Sequence, residues 1–303
     1  HLASNLGIVE LSVAIEKVYD TSIDRLIFDV GHQCYVHKIL TGRNDQMRSL
    51  RTEGGISGFP KPTESDTDAF IAGHASNSIA AALGMARART LKGEKYEVIA
   101  VIGDGALTGG LAYEGLSNAA MSGEDLVIVL NDNEMSIDKN VGGLSDYLSR
   151  IRITPQYNRA KKDMGNLLMS IPHIGDKAFK TAQIVKDSVR AALVPGSVFE
   201  EIGFHYVGPV DGHNIGLLQE LFERVREMDG PILIHIHTTK GKGYAPAEME
   251  PDKFHGIGKF DQETGKCPPK SGAPSYTSVF SKTLIELAEK DSSLLVLYRE
   301  LTA

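Results

Sequence analysis

The sequence is poor in cysteine, in net positive charge and in long apolar runs, and each shortage removes a class of protein. Only two cysteines, Cys34 and Cys267, occur in 303 residues, far apart in the chain. They offer neither a disulfide framework nor a ligand cluster, which suits a reducing compartment, so a cytoplasmic protein is expected. The formal charge of −7 gives no basic face of the kind nucleic acid requires. No apolar stretch approaches the roughly 20 residues of a membrane span, and no secretory pattern opens the chain. The first residue is His1 rather than Met, so the natural N-terminus is expected to be missing and a plastid transit peptide stays open.

What is present is an alternation of helical and strand signals. "LGIVELSVAIEKV" (6–18) has a loose helical period, and "SNSIAAALGMARARTLKG" (76–93) reads as a strong helix with Ser76 or Asn77 as cap and Gly93 as stop. "DRLIFDVGH", "YEVIAVIG", "DLVIVLN" and "PILIHIH" read as buried strands, with a helix at 110–123 and an amphipathic one at 217–228. Near-continuous apolar strands separated by helices predict an α/β fold: an open, mostly parallel sheet with helices on both faces. Residues 136–197 show no clear strand. "TGKCPPKSGAPS" (264–275) has linker composition, and after it come a helix and an apolar strand, "LLVLY". The expected organisation is therefore a first domain over 1–263, a linker over 264–275, and the start of a second α/β domain over 276–303.

Two apolar runs end in polar clusters: "VIAVIGDGALTGG" at Asp104 and "DLVIVLNDNEMSID" at Asn133. Ligands of open α/β sheets bind at the carboxyl ends of strands, and one helical crossover separates these two. A carboxylate and an amide oxygen are hard donors of the kind Mg²⁺ or Ca²⁺ takes, with positions left for phosphate. Gly103 and Gly105 permit close approach of a diphosphate. An ordinary turn aspartate and a capping asparagine are the simpler alternative at either site alone. The "GHAS" turn before the helix at 76–93 offers a helix N-terminus as a third wall. Of ten histidines, His1, His32, His74 and His255 stand out by setting, in or beside glycine-flanked loops or strand ends. Imidazole there can donate to phosphate, a hydroxyl or an oxyanion. No pair of them has zinc-ligand spacing.

"GDG" followed later by "NDN" resembles the thiamine diphosphate motif of transketolases and pyruvate dehydrogenases. "HLASNLGIVELSVAI", "FDVGHQCYVHKILTGR", "GGISGFP", "GHASNSIAAALGMA", "VIGDGALTGG", "LNDNEMSI", "VGPVDGHN" and "TKGKGYAPAE", in that order, narrow the resemblance to the 1-deoxy-D-xylulose-5-phosphate synthases, from His1 to about residue 290.

The resemblance implies a transketolase-like, thiamine diphosphate-binding fold. It implies a thiamine diphosphate- and Mg²⁺-dependent transferase that condenses pyruvate with D-glyceraldehyde 3-phosphate and releases CO₂, as a homodimer, feeding isoprenoid and thiamine synthesis. By the same resemblance Asp104, Asn133 and the backbone carbonyl of Met135 hold Mg²⁺. Asn133 also belongs to the cofactor site with His32, Gly73, His74, Ala75, Gly105, Ala106 and Tyr244. His1 and His255 lie at the reacting end. The family's activating glutamate belongs to a second domain, and the context of Glu300 does not match its motif. The chain is therefore expected to be an incomplete enzyme, inactive alone. A subunit of another transketolase-class enzyme and a non-catalytic thiamine diphosphate-binding module are the rival readings.

Overall fold

The computed structural model describes residues 1–133, 143, 147–148, 197–268 and 273–291. Met135, Glu300 and the apolar segment at 294–298 lie outside the described residues. The chain divides into two compact units, 1–256 and 257–303.

In the first unit five strands form one parallel sheet: β1 (Arg25–Phe28), β2 (Val98–Gly103), β3 (Leu126–Asp132), β4 (His205–Asp211) and β5 (Pro231–His237), in the order β1-β2-β3-β5-β4. The expected α/β architecture is what the sheet shows. The middle strands are buried on both faces, so they carry unbroken Val/Ile/Leu runs rather than an alternating pattern. Helices α1 (Leu2–Leu6), α2 (Val9–Val18), α3 (Tyr35–Lys38), α4 (Ser78–Lys92), α5 (Gly110–Ala120), α6 (Ser197–Ile202), α7 (Ile215–Val225) and α8 (Ala245–Met249) flank the sheet of this unit, with short helical turns at Ile39–Arg43, Asn44–Ser49 and Ala106–Thr108. Two apolar clusters fill it, one per sheet face. Leu11 and Ile15 of α2 pack with Leu218 and Phe222 of α7, while Ile79 and Leu83 of α4 pack with Leu116 of α5.

Three local expectations change. The single helix expected over 6–18 breaks at Gly7, where an added Cβ would lie 3.2 Å from the Thr239 carbonyl oxygen. Strand β4 carried no strand signal because Gly208 and Pro209 interrupt it. Proline cannot donate to a ladder and is tolerated at an edge or a bulge, and β4 is the edge strand, with a register shift between Val207 and Val210. The cap of α4 comes from neither Ser76 nor Asn77: Asn77 stands at the N-cap without a side-chain cap bond. The α4 stop is as read, with Gly93 at φ 66°.

A buried ionic network pins the segment after β1. His37 bonds Glu16 at 2.5 Å and Asp68 at 2.9 Å, and Arg43 grips the Asp68 carboxylate with two nitrogens at 2.6 and 2.9 Å. Lys38, fully buried, bonds Glu64 at 2.6 Å. Burial alone pushes the His37 pKa down, but the bonds from Asp68 and Glu16 outweigh it and hold it above its ordinary value. Burial also opposes ionisation of Asp68. Its bonds from His37, Arg43 and the Lys61 N–H win, holding it well below the usual carboxylate range.

The second unit holds α9 (Tyr276–Lys290), capped by Ser275, whose hydroxyl accepts from the Ser278 N–H at 3.1 Å. No residue of α9 is buried.

The raised His37 pKa fixes the sign of a test. Its stabilisation is complete below about pH 6.5 and fades as pH rises through the raised native value. His37→Gln should cost about 2–3 kcal/mol near pH 6. In urea denaturation at a series of pH values, the gap between wild type and variant should shrink as pH rises above about 6.5. A gap that does not change with pH refutes the charged clamp.

Candidate active site

All strands being parallel, their carboxyl ends share one edge, and the exit of β1 sets its shape. Asp29, 1% exposed, accepts the backbone N–H of Ser76 at 2.8 Å and of Ser78 at 3.0 Å. It is thus the cap of α4. The N-terminal amides of that helix are committed in part to Asp29, which corrects the expectation that they stand free for phosphate. Gly73, His74 and Ala75, just before them, remain exposed. Val30 (φ 57°) and Gly31 (φ 85°) turn the chain sharply after Asp29. A left-handed valine is a strained residue, held because Gly31 is wedged: an added Cβ would lie 2.5 Å from Pro60 Cδ.

The turn delivers His32 into a cluster. Its ring centroid lies 4.9 Å from that of His1 and 5.2 Å from that of His255, and His1 lies 5.1 Å from His255. Buried Asn5 holds two of the three. Its amide donates to the carbonyl oxygens of His1 (2.7 Å) and His32 (2.9 Å), and its oxygen accepts the Tyr35 N–H (2.9 Å). The third is fixed by the Ala3 N–H donating to the Phe254 carbonyl at 3.1 Å, and Ser4 Oγ lies 3.2 Å from His255 Nδ1.

Beside the cluster are the ends of β2 and β3. The register sets Gly103 against Asn131, and the Asp104 N–H donates to the Asn131 carbonyl at 3.2 Å, so Asp104 and Asn133 occupy neighbouring strand ends. Asp104 is 3% exposed. An added Cβ at Gly103 or Gly73 meets nothing within 4 Å, so the edge is open there. Gly109, by contrast, has no room: an added Cβ would lie 2.1 Å from Ser76 Oγ, which donates to the Ala106 carbonyl at 2.7 Å and locks the two loops together.

Burial drives the His32 pKa down to about 3, helped by the positive neighbours His255, Lys240 and Arg51. Burial and then Lys240 take His255 to about 4. Lys240 is itself lowered by burial, against the pull of Asp252 and Asp104. At neutral pH His32 and His255 are therefore neutral, each with one N–H and one lone pair, next to an edge of hard oxygen donors. A polar cavity of about 600 Å³ lies at the opposite edge, by Asp24, Glu97 and Asp125, away from this chemistry.

Comparison with known proteins now bears on this edge. The sequence profile of 1-deoxy-D-xylulose-5-phosphate synthase matches residues 1–238. The chain belongs to this family. It is 56% identical over 289 residues to the synthase of Carboxydothermus hydrogenoformans, covering 95% of this chain and 46% of that one. It is 54% identical over 298 residues to that of Natranaerobius thermophilus, covering 98% and 47%. The chain thus spans about half the length of the curated relatives it matches. Transketolase from Campylobacter jejuni shares the fold, with a TM-score of 0.55 at 18% identity over 83% of this chain and 38% of that one.

Of the residues the synthase resemblance singled out, the fold brings His1, His32 and His255 together and sets Asp104, Gly105, Ala106 and Asn133 on adjoining strand ends. His74 is exposed in the loop before α4. Tyr244 stands at the N-cap of α8, its ring edge-on to Phe254 at 5.6 Å. His213 is otherwise engaged, bonded to Glu10 at 3.0 Å and accepting the Thr239 N–H at 2.8 Å. Sequence reasoning missed Asn5, Asp29 and Lys240. A buried acid at a strand exit is a readable cue for Asp29, while nothing local marks Asn5.

The depressed pKa values predict a spectrum. Ring-proton resonances of His32 and His255 should hold their neutral positions from about pH 8 to about pH 5, where a solvated histidine titrates near 6.5. Assignment by single His→Gln variants identifies them. Either resonance titrating near pH 6.5 contradicts the burial argument.

Proposed function

We propose that this chain builds the thiamine diphosphate and Mg²⁺ site of a 1-deoxy-D-xylulose-5-phosphate synthase, joining pyruvate to D-glyceraldehyde 3-phosphate with loss of CO₂. The observation that carries the reading is the pairing of β2 with β3, which sets Asp104 and Asn133 on neighbouring strand ends of one open edge. Lys240 links that edge to the imidazoles, interacting with Asp104 on one side and with His32 and His255 on the other.

The residues fit the groups. Asp104, Asn133 and the Met135 carbonyl are oxygen donors suited to Mg²⁺, which keeps places for phosphate oxygens. His32, Gly73, His74, Ala75, Gly105 and Ala106 would receive the diphosphate, with Tyr244 beside the cofactor. When bound, thiamine diphosphate supplies the carbon nucleophile and electron sink for decarboxylating a 2-oxo acid. His255, neutral and partly buried, can give or take a proton at one ring nitrogen without first shedding a charge. His1 stands within reach of the same point. Burial of these rings keeps water from competing for their hydrogen bonds.

The same reading makes the protein a cytoplasmic homodimer in its complete form, supplying isoprenoid and thiamine synthesis. In the described residues no helix is long and apolar enough to cross a membrane.

Calorimetry tests the site. Thiamine diphosphate should bind in the presence of Mg²⁺, and Asp104→Ala should abolish the Mg²⁺-dependent part. Unchanged binding removes Asp104 and Asn133 from the metal site. Incubated alone with cofactor, Mg²⁺, pyruvate and glyceraldehyde 3-phosphate, this chain should release little CO₂ and no product, since its relatives are about twice as long. Turnover matching a full-length synthase overturns that expectation. Cofactor binding with no product even when the remainder of a relative is supplied favours a non-catalytic module, and turnover of a ketose in place of pyruvate favours another transketolase-class subunit.

A further inference from the structure

The three imidazoles have a property that their proposed part in the synthase does not use. One nitrogen from each of His1, His32 and His255 lies within 4.8 Å of the other two, and all three rings are partly buried. His1 Nδ1 is buried and makes no hydrogen bond among the described residues. His255 can donate its Nδ1–H to Ser4 Oγ, the second bond that orients a ligating imidazole and leaves Nε2 with its lone pair. The backbones of His1 and His32 are held by one amide, that of Asn5. No carboxylate belongs to the set.

We propose that His1, His32 and His255 form a three-imidazole site for a borderline divalent transition ion, with Zn²⁺ the best match. Three neutral nitrogen ligands and one open position are the donor set Zn²⁺ takes at reactive sites, and imidazole favours Zn²⁺, Cu²⁺ and Ni²⁺ over Mg²⁺. A tetrahedral ion with Zn–N of about 2.1 Å needs nitrogens about 3.4 Å apart, so the rings must close by up to about 1.4 Å. Partly exposed rings have room for that rotation. The depressed pKa values of His32 and His255 mean that no proton must leave those two rings before an ion binds at pH 7. Positive charge on Arg51 and Lys240 works against a dication, so the site holds its ion by ligand chemistry rather than by field. The site goes beyond the synthase reading. An ion there would occupy both rings proposed for proton handling and one proposed for the cofactor, making it inhibitory.

The test reads metal binding, so it is independent of turnover. Co²⁺ titrated into the full chain should develop the visible absorption of a low-coordinate nitrogen site, and Zn²⁺ should erase it at one equivalent while Mg²⁺ in excess does not. His32→Ala and His255→Ala should each weaken Zn²⁺ by about 100-fold or more, above the 10–100-fold that loss of an outer partner costs. Exposed His205 serves as control, and His205→Ala should bind as wild type; circular dichroism checks that each variant is folded. The chain amine of His1 could chelate with its own ring, so an N-acetylated chain is the second arm and should keep its affinity. Absence of the absorption, binding indifferent to His32→Ala and His255→Ala in folded protein, or binding lost on acetylation each overturns the three-imidazole site.

Discussion

Parallel pairing is the constraint on which the molecule rests. Because β1, β2, β3 and β5 run the same way, every residue that follows a strand end emerges at one edge. Asp29, Asp104, Asn133 and Lys240 belong to different crossovers, yet they meet there without any long-range signal between them. Parallel strands need helical connections, and those helices cover both faces with apolar side chains. The faces are closed to polar ligands, and the strand ends are left open to them.

Within that edge the loops are held by buried polar groups rather than by apolar contact. Asp29 joins the β1 exit to α4, Ser76 joins that loop to Ala106, and Asn5 joins the first helix to the β1 exit. Each is a single side chain that satisfies backbone donors or acceptors at a place where regular structure has ended. Removing any one strands buried groups, at a cost of about 1–3 kcal/mol for each group left unsatisfied. The strain at Val30 is carried by the same arrangement, because the turn it makes is what lets His32 reach His1.

The strands β2, β3 and β5 were legible because burial on both faces forces long apolar runs, and a run ended by Gly-Asp-Gly or Asn-Asp-Asn advertises its end. The placing of Asp104 and Asn133 at adjoining strand ends could be read that way, as could the family, from motifs in order. Edge strand β4 was not legible, because an edge tolerates the Gly-Pro pair that argues against a strand. The cap of α4 was misread for a different reason. Ser76 and Asn77 satisfy the local rule, but a carboxylate from β1 reaches the same amides, and no local pattern reports a partner so far away in the chain. His1, His32 and His255 stood out singly, but the approach of all three to one another has no local signal, for the same reason. Metal spacing rules look for ligands on one helix or one loop, and these three come from the residue before α1, the exit of β1 and the segment after α8.

The edge thus carries two chemistries side by side. Oxygen donors at the ends of β2 and β3 suit a hard, strongly hydrated cation, and the nitrogen donors of His1, His32 and His255 suit a softer one. Lys240 lies between them, and its charge has opposite effects on the two sides. Toward Asp104 it is attractive; toward His32 and His255 it is repulsive and adds to the burial that favours neutral rings. One buried side chain thus faces both sets of donors, attracting the acid and adding to the burial that keeps the imidazoles neutral. A neutral side chain at position 240 removes both interactions together and still leaves the imidazoles neutral, because burial is the larger cause of their lowered pKa values.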